Sequence, residues 1–456
     1  MESTTRPDRN HAVVAGGSMA GLMAARVLSD HFERVTIIER DAFPASVENR
    51  RGVPQGRHTH GLLAGGAQVL EHHFPGILRE LCDAGAVAGD IAGKARWFNE
   101  GHCLARFKSG LTGMVMSRPF LETRVRARTL ALGNVNVQQD CTIEGLMTAP
   151  DNSRVTGVRC AAGSTMEADL VVDTTGRGSK APQWLESMGY AKAPEEHVQV
   201  GVSYTTRLFR RRPSDLGGDI VVVIPPTPSG KCGGVMLAQE NDRWTVTLIR
   251  HFGPAAPCEL EGFIEFARNL PAPFIHEVVK DAEPLGDAIT AKFPASQRRR
   301  YERSTRFPEG FLVFGDAISS FNPIYGQGMT AAALESLELD KALREGDSML
   351  AKRFFASASK VVDIPWSIAV GNDLRMPETV GPRNAGVKVI NWYMSKLHKA
   401  AHTDTEAALA FHRVANLLAP PPSVMHPRIA ARVLWRNLFP PSPARELRDQ
   451  RVAAAV

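Results

Sequence analysis

A glycine-rich turn near the N-terminus constrains the fold of this chain more than any other feature. It lies within residues 11–41, which read HAVVAGGSMAGLMAARVLSDHFERVTIIERD. Residues 12–15 predict a short apolar strand, an alanine-rich helix follows to about Asp30, and residues 35–38 predict a second strand that ends at Glu39. Strand, glycine turn, helix and strand in this order are typical of a βαβ unit.

The spacing within this unit is that of a dinucleotide-binding motif. Gly16 makes the tight turn, Gly21 lets the helix pack closely against the strand, and the helix N-terminus offers free N–H groups to a pyrophosphate. Ser18 takes the middle position of G-x-G-x-x-G, where a small hydroxyl side chain still permits close approach. Glu39 follows at about the expected 20 residues and would accept hydrogen bonds from ribose hydroxyls. The predicted contacts are Gly16, Ser18, Met19, Ala20, Gly21, Glu39 and Arg40.

A second segment, residues 310–333, indicates that the dinucleotide is FAD rather than NAD, a distinction that the first motif does not make. It reads GFLVFGDAISSFNPIYGQGMTAAA, an apolar strand followed by Gly-Asp, a turn with proline and glycines, and a helix from about Thr330. Asp316 would accept a hydrogen bond from a ribityl hydroxyl, a group that NAD lacks. The positive end of the helix suits the negative charge that collects on a reduced flavin. The alternative is a plain strand–loop–helix joint with Asp316 as N-cap. The predicted contacts here are Gly315, Asp316, Pro323, Gly326, Gln327, Gly328 and Met329.

Three more segments carry a resemblance to a known family. They are RGVPQGRHTHGLL (residues 51–63), MSRPFLETRVRAR (residues 116–128) and ADLVVDTTGRGSKAPQWL (residues 168–185). With the two motifs above, the chain resembles the FAD-dependent monooxygenase superfamily and is similar to 2-polyprenyl-6-methoxyphenol hydroxylases. Within that superfamily, RGVPQGRHTHGLL, DTTGRGS and GDAISSFNPIYGQGM look closest to squalene-epoxidase-like enzymes and bacterial polyether polyene epoxidases.

The resemblance implies further cofactor contacts. They are Arg51, Gln55, His58, Arg118, Thr175 and Gly176. Single-component members of the family carry Asp-Gly where this chain has Thr-Gly at residues 175–176, and that aspartate is thought to serve both FAD and NAD(P)H. The departure leaves two routes open: NAD(P)H reduces the flavin directly, or it acts through a separate flavin reductase. Arg177 would help to hold the FAD pyrophosphate.

The fold implied is α/β, with a Rossmann-type FAD-binding domain, an inserted antiparallel-sheet substrate domain and a C-terminal helical region. Between residues 197 and 290 the hydrophobic period changes to two, which predicts the antiparallel sheet. We predict four parts, a FAD-binding domain at 1–190 (with part of the substrate domain near 76–110), the substrate sheet at 191–290, the Gly-Asp part of the FAD-binding domain at 291–345, and the helical region at 346–456.

The function implied is that of a monooxygenase that uses a flavin C4a-hydroperoxide. Its expected substrate is small, apolar and electron-rich, an alkene of a polyketide or isoprenoid that the enzyme would epoxidise or hydroxylate with O2. No residue is singled out as catalytic. The alternatives are hydroxylation of a phenol and reduction of isoprenoid double bonds. The W-x-W-x-I-P signature of flavin halogenases is missing, and a FAD-binding partner or chaperone without turnover is an alternative from another class.

Composition and charge restrict the other partners. Six scattered cysteines without a C-x-x-C pair predict free thiols and no metal site, and His58 and His60 are expected to bond within the cofactor loop. The net charge of +6, without aromatic residues among the arginine clusters, predicts no nucleic acid partner. No apolar run reaches the ~20 residues of a membrane span, and the N-terminus lacks a signal-peptide pattern, so we expect a cytoplasmic protein. The basic, amphipathic segment RIAARVLWRNLF (residues 428–439) either packs across the domains or lies on a membrane surface.

Overall fold

The computed structural model describes residues 9–383 and 385–440. Residues 1–8 of the predicted FAD-binding domain, and residues 384 and 441–456 of the predicted helical region, therefore lie outside the described residues. The strands are β1 His11–Ala15, β2 Arg34–Ile38, β3 Gly61–Leu62, β4 Val87–Asp90, β5 Ala95–Asn99, β6 His102–Cys103, β7 Thr112–Val115, β8 Val135–Gln138, β9 Ile143–Thr148, β10 Val155–Cys160, β11 Thr165–Glu167, β12 Leu170–Asp173, β13 Glu195–Arg210, β14 Val221–Ile224, β15 Cys232–Gln239, β16 Arg243–His251, β17 Ile289–Arg299, β18 Phe311–Val313 and β19 Ser319–Ser320.

The helices are numbered in the same way. They are α1 Met19–Leu28, α2 Ala64–His73, α3 Ile77–Asp83, α4 Arg118–Leu130, α5 Ala181–Ser187, α6 Leu260–Arg268, α7 Phe274–Val279, α8 Gly328–Arg344, α9 Leu350–Asp373, α10 Ala385–Ala401, α11 Thr405–Ala415 and α12 Pro427–Leu438. In the described residues, no helix combines the length and the apolar character that crossing a membrane requires.

A parallel sheet carries both predicted cofactor motifs. Its strand order is β18-β12-β1-β2-β8, and every neighbouring pair is parallel. All five residues of β1 are buried, as expected for a central parallel strand that is covered on both faces. Helix α1 forms the crossover from β1 to β2, and α8 packs against α1 and α2. The apolar residues of this layer form the first hydrophobic core.

A larger, mostly antiparallel sheet forms from the segments with a period of two. Its strand order is β19-β17-β13-β16-β15-β14-β5-β6. The long strand β13 pairs with β16 on one side and β17 on the other, and β5 joins β14 in parallel. Two smaller three-stranded sheets have the orders β11-β10-β9 and β3-β7-β4. This mixed architecture confirms the predicted fold class.

Helices cover both faces of the large sheet. On one face α6 packs over β16 and α7 over β15, and Trp244 and Phe263 are fully buried there. On the other face α9 contributes Trp366 and Ala369 to a core with residues of β13. Helices α10, α11 and α12 share a separate core around Leu397. The loop between β19 and α8, residues 321–327, lies beside the core under α9 and places the second cofactor motif there.

Candidate functional site

Two glycine positions at the turn between β1 and α1, Gly16 and Gly21, leave no room for a side chain. Gly16 has a φ of +102°, and a Cβ there would lie 3.2 Å from the carbonyl oxygen of Thr174. A Cβ at Gly21 would overlap the carbonyl oxygen of Gly16. The helix N-terminus is thereby held close to the carboxyl ends of β1 and β12, as in a dinucleotide-binding turn.

The two cofactor motifs meet at this turn, although they are far apart in the sequence. A Cβ at Gly315 would lie 2.8 Å from the Cβ of Ala20 in α1. Asp316 lies between two other predicted positions, since a Cβ at Gly176 would be 3.9 Å from the Asp316 Cβ and one at Gly328 would be 3.8 Å from its Oδ1. The structure therefore brings three predicted segments, residues 11–41, 168–185 and 310–333, to one edge of the parallel sheet.

Buried ion pairs tie α4 to the glycine turn. Arg118 donates from Nη2 to Ser18 Oγ (2.9 Å), and Ser18 donates to Glu122 Oε2 (2.8 Å). Glu122 also pairs with Arg118 Nε at 3.3 Å and with Arg50 Nε at 2.9 Å. Burial alone would raise the pKa of Glu122, but the charges of Arg118 and Arg50 outweigh it and hold the pKa below its ordinary value. Glu122 is therefore ionised and orients both arginines.

The carboxylate of Glu39 forms hydrogen bonds and an ion pair within the protein. Its Oε2 accepts a hydrogen bond from the Gly17 N–H (2.8 Å) and pairs with Arg50 Nη1 (2.9 Å). Its Oε1 accepts from the Asp41 N–H at 3.2 Å. The carboxylate thus stabilises the glycine turn, and its contact with a ribose stays a prediction.

Sequence reasoning missed Arg50 and Glu122. The sequence resemblance indicates Arg51, whereas the buried guanidinium of this loop belongs to Arg50, and Arg51 is exposed. The sequence does contain a signal for Glu122. It follows Arg118 by about one helical turn, so the two side chains can pair on one face of α4, as they do in the structure. The predicted residues Arg40, Gln55, Pro323 and Gly326 are exposed at the rim.

We call the place where Gly16, Gly176, Gly315 and Gly328 come together the recess, and Asp316 and Arg177 are its polar side chains. The Asp316 side chain is exposed, yet desolvation by the surrounding protein raises its pKa, against the opposing charges of Arg118 and Arg177. Arg177 lies over the ring of Phe293, 5.0 Å from its centroid, and its buried Nη1 has no hydrogen-bond partner within the described part of the chain. A half-buried cation with a buried donor that lacks a partner fits an anionic ligand.

Thr175 uses its hydrogen-bond donors within the protein. Its backbone N–H and its hydroxyl both donate to Asp173 Oδ1, at 2.9 and 2.6 Å. Asp173 is fully buried at the end of β12. Where single-component members of the family carry an aspartate, this chain therefore has a neutral threonine whose hydroxyl is already hydrogen-bonded to Asp173.

The loop that contains His58 is attached to the large sheet. His58 Nδ1 lies 2.8 Å from Thr206 Oγ1, and its ring packs edge-on against Tyr204 with centroids 4.7 Å apart. Burial lowers the pKa of His58 to about 4, so the imidazole is neutral at neutral pH. His60 Nδ1 lies 3.0 Å from the His58 carbonyl oxygen. The His58 side chain therefore bonds to the large sheet, and the His60 side chain bonds within the loop.

The start of α8 has buried polar atoms that lack partners. Gln327 donates from Nε2 to the Ala415 carbonyl at 3.3 Å, but its Oε1 has no partner in the part of the chain that is described. The buried Thr330 Oγ1 also lacks one there. Met329 is half-buried against the first core. Unsatisfied groups at a helix N-terminus are typical of a ligand site.

A second polar cluster lies where the β19–α8 loop meets α9, and the sequence did not indicate it. Asp373 Oδ1 accepts from Asn322 Nδ2 and from the Tyr325 hydroxyl, each at 2.8 Å. Asp373 Oδ2 is buried and has no partner among the described residues. Burial raises the pKa of Asp373 to about 7, despite both hydrogen bonds. This carboxyl can therefore gain and lose a proton near neutral pH.

Together these residues fit FAD. The glycine turn and Arg177 suit the pyrophosphate, Asp316 suits the ribityl chain, and the unsatisfied start of α8 suits the flavin ring. Tyr204, Phe293 and Phe321 belong to one apolar cluster next to this loop and offer a wall for an apolar ligand. The arrangement can bind a dinucleotide and shield one face of it from water.

Comparisons with known proteins support this interpretation of the fold. No protein-family profile matches the chain. Protein Rv3254 of Mycobacterium tuberculosis (strain ATCC 25618 / H37Rv) is 35% identical over 462 residues, which cover 94% of this chain and 94% of that protein. Kynurenine 3-monooxygenase of Salinispora tropica is 24% identical over 363 residues, or 74% of this chain and 73% of that enzyme.

The crystal structure of PqsL shares the fold. PqsL is described as a probable FAD-dependent monooxygenase from Pseudomonas aeruginosa. It matches with a TM-score of 0.60 and 17% identity, and the match covers 80% of this chain and 98% of PqsL.

Proposed function

This chain belongs to the same family as Protein Rv3254, with the fold of the FAD-dependent monooxygenases, and we propose that it is a flavin-dependent monooxygenase that transfers one oxygen atom from O2 to a small apolar, electron-rich substrate. The enzyme class and the FAD cofactor expected from the sequence agree with these comparisons. An alkene of a polyketide or isoprenoid stays our proposed substrate class, and it rests on the sequence resemblance.

The observation that carries the proposal is the meeting of the motifs at one recess. Asp316 lies within van der Waals reach of the positions of Gly176 and Gly328, and Gly315 adjoins Ala20. Arg177 adds a buried donor without a partner in the described residues. A plain strand–loop–helix joint would not require these glycines, this cation and this carboxyl at one place.

When bound, FAD supplies the redox chemistry that activates O2. The residues of this chain bind and orient it, with Arg118 held by Glu122 and Ser18 beside the glycine turn. The apolar cluster under α9 keeps water from the reacting atoms, which protects reactive intermediates from hydrolysis. The part of the chain between β13 and β17 is our proposed cover for the substrate.

Asp373 and Tyr325 favour a second candidate function, hydroxylation of a phenol. A phenol reacts faster once a base removes its hydroxyl proton, whereas epoxidation of an alkene takes no proton from the substrate. Asp373, with its free Oδ2 and a pKa of about 7, is suited to be that base, and the Tyr325 hydroxyl would pass the proton to it.

An anaerobic titration tests the proposal first. NADH or NADPH is added to the purified, FAD-loaded protein without oxygen, and the absorbance of the oxidised flavin is followed. Rapid bleaching means that NAD(P)H reduces the flavin directly despite Thr175. A flavin that bleaches only after a flavin reductase is added means that electrons arrive through a partner.

A second step identifies the reaction. The reduced enzyme is mixed with ¹⁸O2 and a panel of alkenes and phenols, and the products are analysed by mass spectrometry. A product that carries one labelled oxygen supports the proposal. Products that gain only hydrogen indicate a reductase, and FAD binding without reduction by any donor indicates a binding protein; either result would overturn the proposal.

A further inference from the structure

Large apolar side chains are exposed on α10 and α12 to an unusual degree. Most of the exposed large apolar residues in the described chain lie on these two helices or at their ends. Trp392 is 54% exposed, Trp435 61% and Leu438 72%. We call Val389, Trp392, Leu434, Trp435, Leu438 and Phe439 the aromatic face. Monomeric soluble proteins rarely expose such a concentration of aromatic and aliphatic side chains without an interaction that uses it.

The two helices that carry the aromatic face pack against each other. Val433 is buried in the shared core, so Leu434 and Leu438, one turn apart, lie on the side of α12 that points away from it. Asn437 Nδ2 donates to the Lys396 carbonyl at 2.9 Å and joins α12 to α10. Trp392 precedes Lys396 by one turn on the same side of α10. The rings of Trp435 and Phe439 contact each other, with centroids 4.4 Å apart.

The charge beside the aromatic face has one sign. Neither residues 385–401 nor residues 427–438 contain an aspartate or glutamate, whereas they contain three lysines and three arginines. Arg432 and Arg436 share Asp404, and Arg428 lies 3.7 Å from Glu406. In the described ranges 9–383 and 385–440, Lys388, Lys396 and Lys399 form no ion pair. The lysines therefore leave a net positive charge next to the aromatic face.

We propose that the aromatic face binds the surface of an anionic lipid bilayer, with α10 and α12 lying in the plane of the headgroups. Tryptophan prefers the headgroup region, since one part of its ring is apolar and its N–H is polar. Lysines next to it attract anionic headgroups, each worth about fivefold in binding. A second copy of the chain fits the aromatic face less well than a bilayer does. A two-fold contact would bring the lysines of both copies together, and neither helix has an acidic residue to offset their repulsion. The proposal does not depend on the proposed enzyme activity.

Vesicle sedimentation with the full-length, FAD-loaded protein tests this proposal. The protein is spun with vesicles of phosphatidylcholine alone, and with vesicles in which part of the lipid is phosphatidylglycerol. We expect at least a tenfold higher bound fraction on the anionic vesicles and a steep loss of binding as salt is raised. Tryptophan fluorescence should shift to the blue on binding, since Trp392 and Trp435 leave water.

Variants assign the effect to this face. The double variant Trp435→Ser/Leu438→Ser removes apolar contact area, and Lys388→Gln/Lys396→Gln/Lys399→Gln removes charge; both should lose at least tenfold in binding. The matched controls are Met349→Ser/Val380→Ser, which removes exposed apolar side chains elsewhere, and Lys341→Gln/Lys352→Gln/Lys360→Gln on α8 and α9. Both controls should bind like the parent, and flavin absorbance with circular dichroism verifies that each variant folds.

Three outcomes would overturn the proposal. The first is no sedimentation with anionic vesicles at low salt, and the second is equal binding by the face variants and the controls. The third is a wild-type dimer in gel filtration that Trp435→Ser/Leu438→Ser converts to a monomer while neither form binds vesicles. That last result would assign the face to a second copy of the chain.

Discussion

At the scale of single residues, the buried carboxyl of Asp373 controls a measurable pH dependence. Asp373 is 1% exposed, and burial raises its pKa from 3.8 to about 7. The folded chain therefore holds this proton more tightly than the unfolded chain, so the contribution of Asp373 to stability falls as the pH rises from about 4 to about 7. Asp373→Asn removes this titration.

The free energy of unfolding of the variant minus that of the wild type should increase by up to a few kcal/mol when the pH is raised from about 5 to about 8. Urea unfolding at the two pH values measures this difference. Asp287→Asn, at an exposed aspartate on another loop, is the matched control and should show no pH-dependent difference. A difference for Asp373→Asn that is the same at both pH values would contradict the assignment.

Glu122 is a second residue with a specific prediction. Glu122→Gln leaves Arg50 and Arg118 buried without the carboxylate that pairs with both, so the free energy of unfolding should fall by about 3 kcal/mol. Glu345→Gln, which breaks a partly exposed pair with Arg353, should change the free energy of unfolding by less than about 1 kcal/mol. Denaturant titrations measure both values, and equal losses would show that the buried network is not needed for folding.

The sequence predicts the kinds of residue at the site better than their identities. The resemblance predicts a cofactor contact for Arg51, which stays a prediction. It gives no sign that the adjacent Arg50 is buried, because the loop has no periodic structure that fixes which of two adjacent side chains points inward. Asp373 gave no signal, since a polar residue at the end of a helix is ordinary. Its partners Asn322 and Tyr325 reach it only through the tertiary fold.

At the scale of elements, the β1–α1 turn depends on Gly21. A Cβ at this position would overlap the Gly16 carbonyl oxygen, so Gly21→Ala must push α1 away from β1. We expect at least tenfold weaker FAD retention and a lower thermal midpoint. The flavin-to-protein absorbance ratio after gel filtration and a thermal scan measure these two effects.

Gly133→Ala is the matched control for this element. Gly133 has no atom within 4 Å of its Cβ position, and its φ is outside the left-handed region. The control should retain FAD and its thermal midpoint. If both variants behave alike, the contact between helix and strand is not what fixes the turn.

The sequence predicts an element well when the residues that determine it are close together in the chain. The apolar strand, glycine turn and helix of the first motif are neighbours in sequence, and they form β1 and α1 as expected. The pairing of β5 with β14 is different, because it joins residues 95–97 to residues 221–223. The sequence indicated only that residues near 76–110 would join the substrate part, and nothing local specifies a parallel partner so far along the chain.

At the scale of the whole molecule, FAD should stabilise the chain as a ligand of the folded state. The recess draws on β1, the β12 loop and the start of α8, so unfolding any of them releases the cofactor. FAD at about 100 times its Kd should add about 2.7 kcal/mol to the free energy of unfolding. Calorimetry of the apoprotein with added FAD measures this, with FMN as the control, since it lacks the adenosine half. An equal effect of FMN would contradict our placement of the adenosine near Glu39.

The interleaving of strands in the parallel sheet sets an order of events during synthesis. The ribosome makes β1 and the glycine turn long before β12, the strand that pairs with β1, and β12 gains its own neighbour β18 only when Phe311–Val313 has been made. A nascent chain therefore carries only one half of the recess until it has reached β18. The recess has all of its parts only once β18 and the loop after it have been made, and a chain truncated before residue 311 lacks Gly315, Asp316 and Gln327.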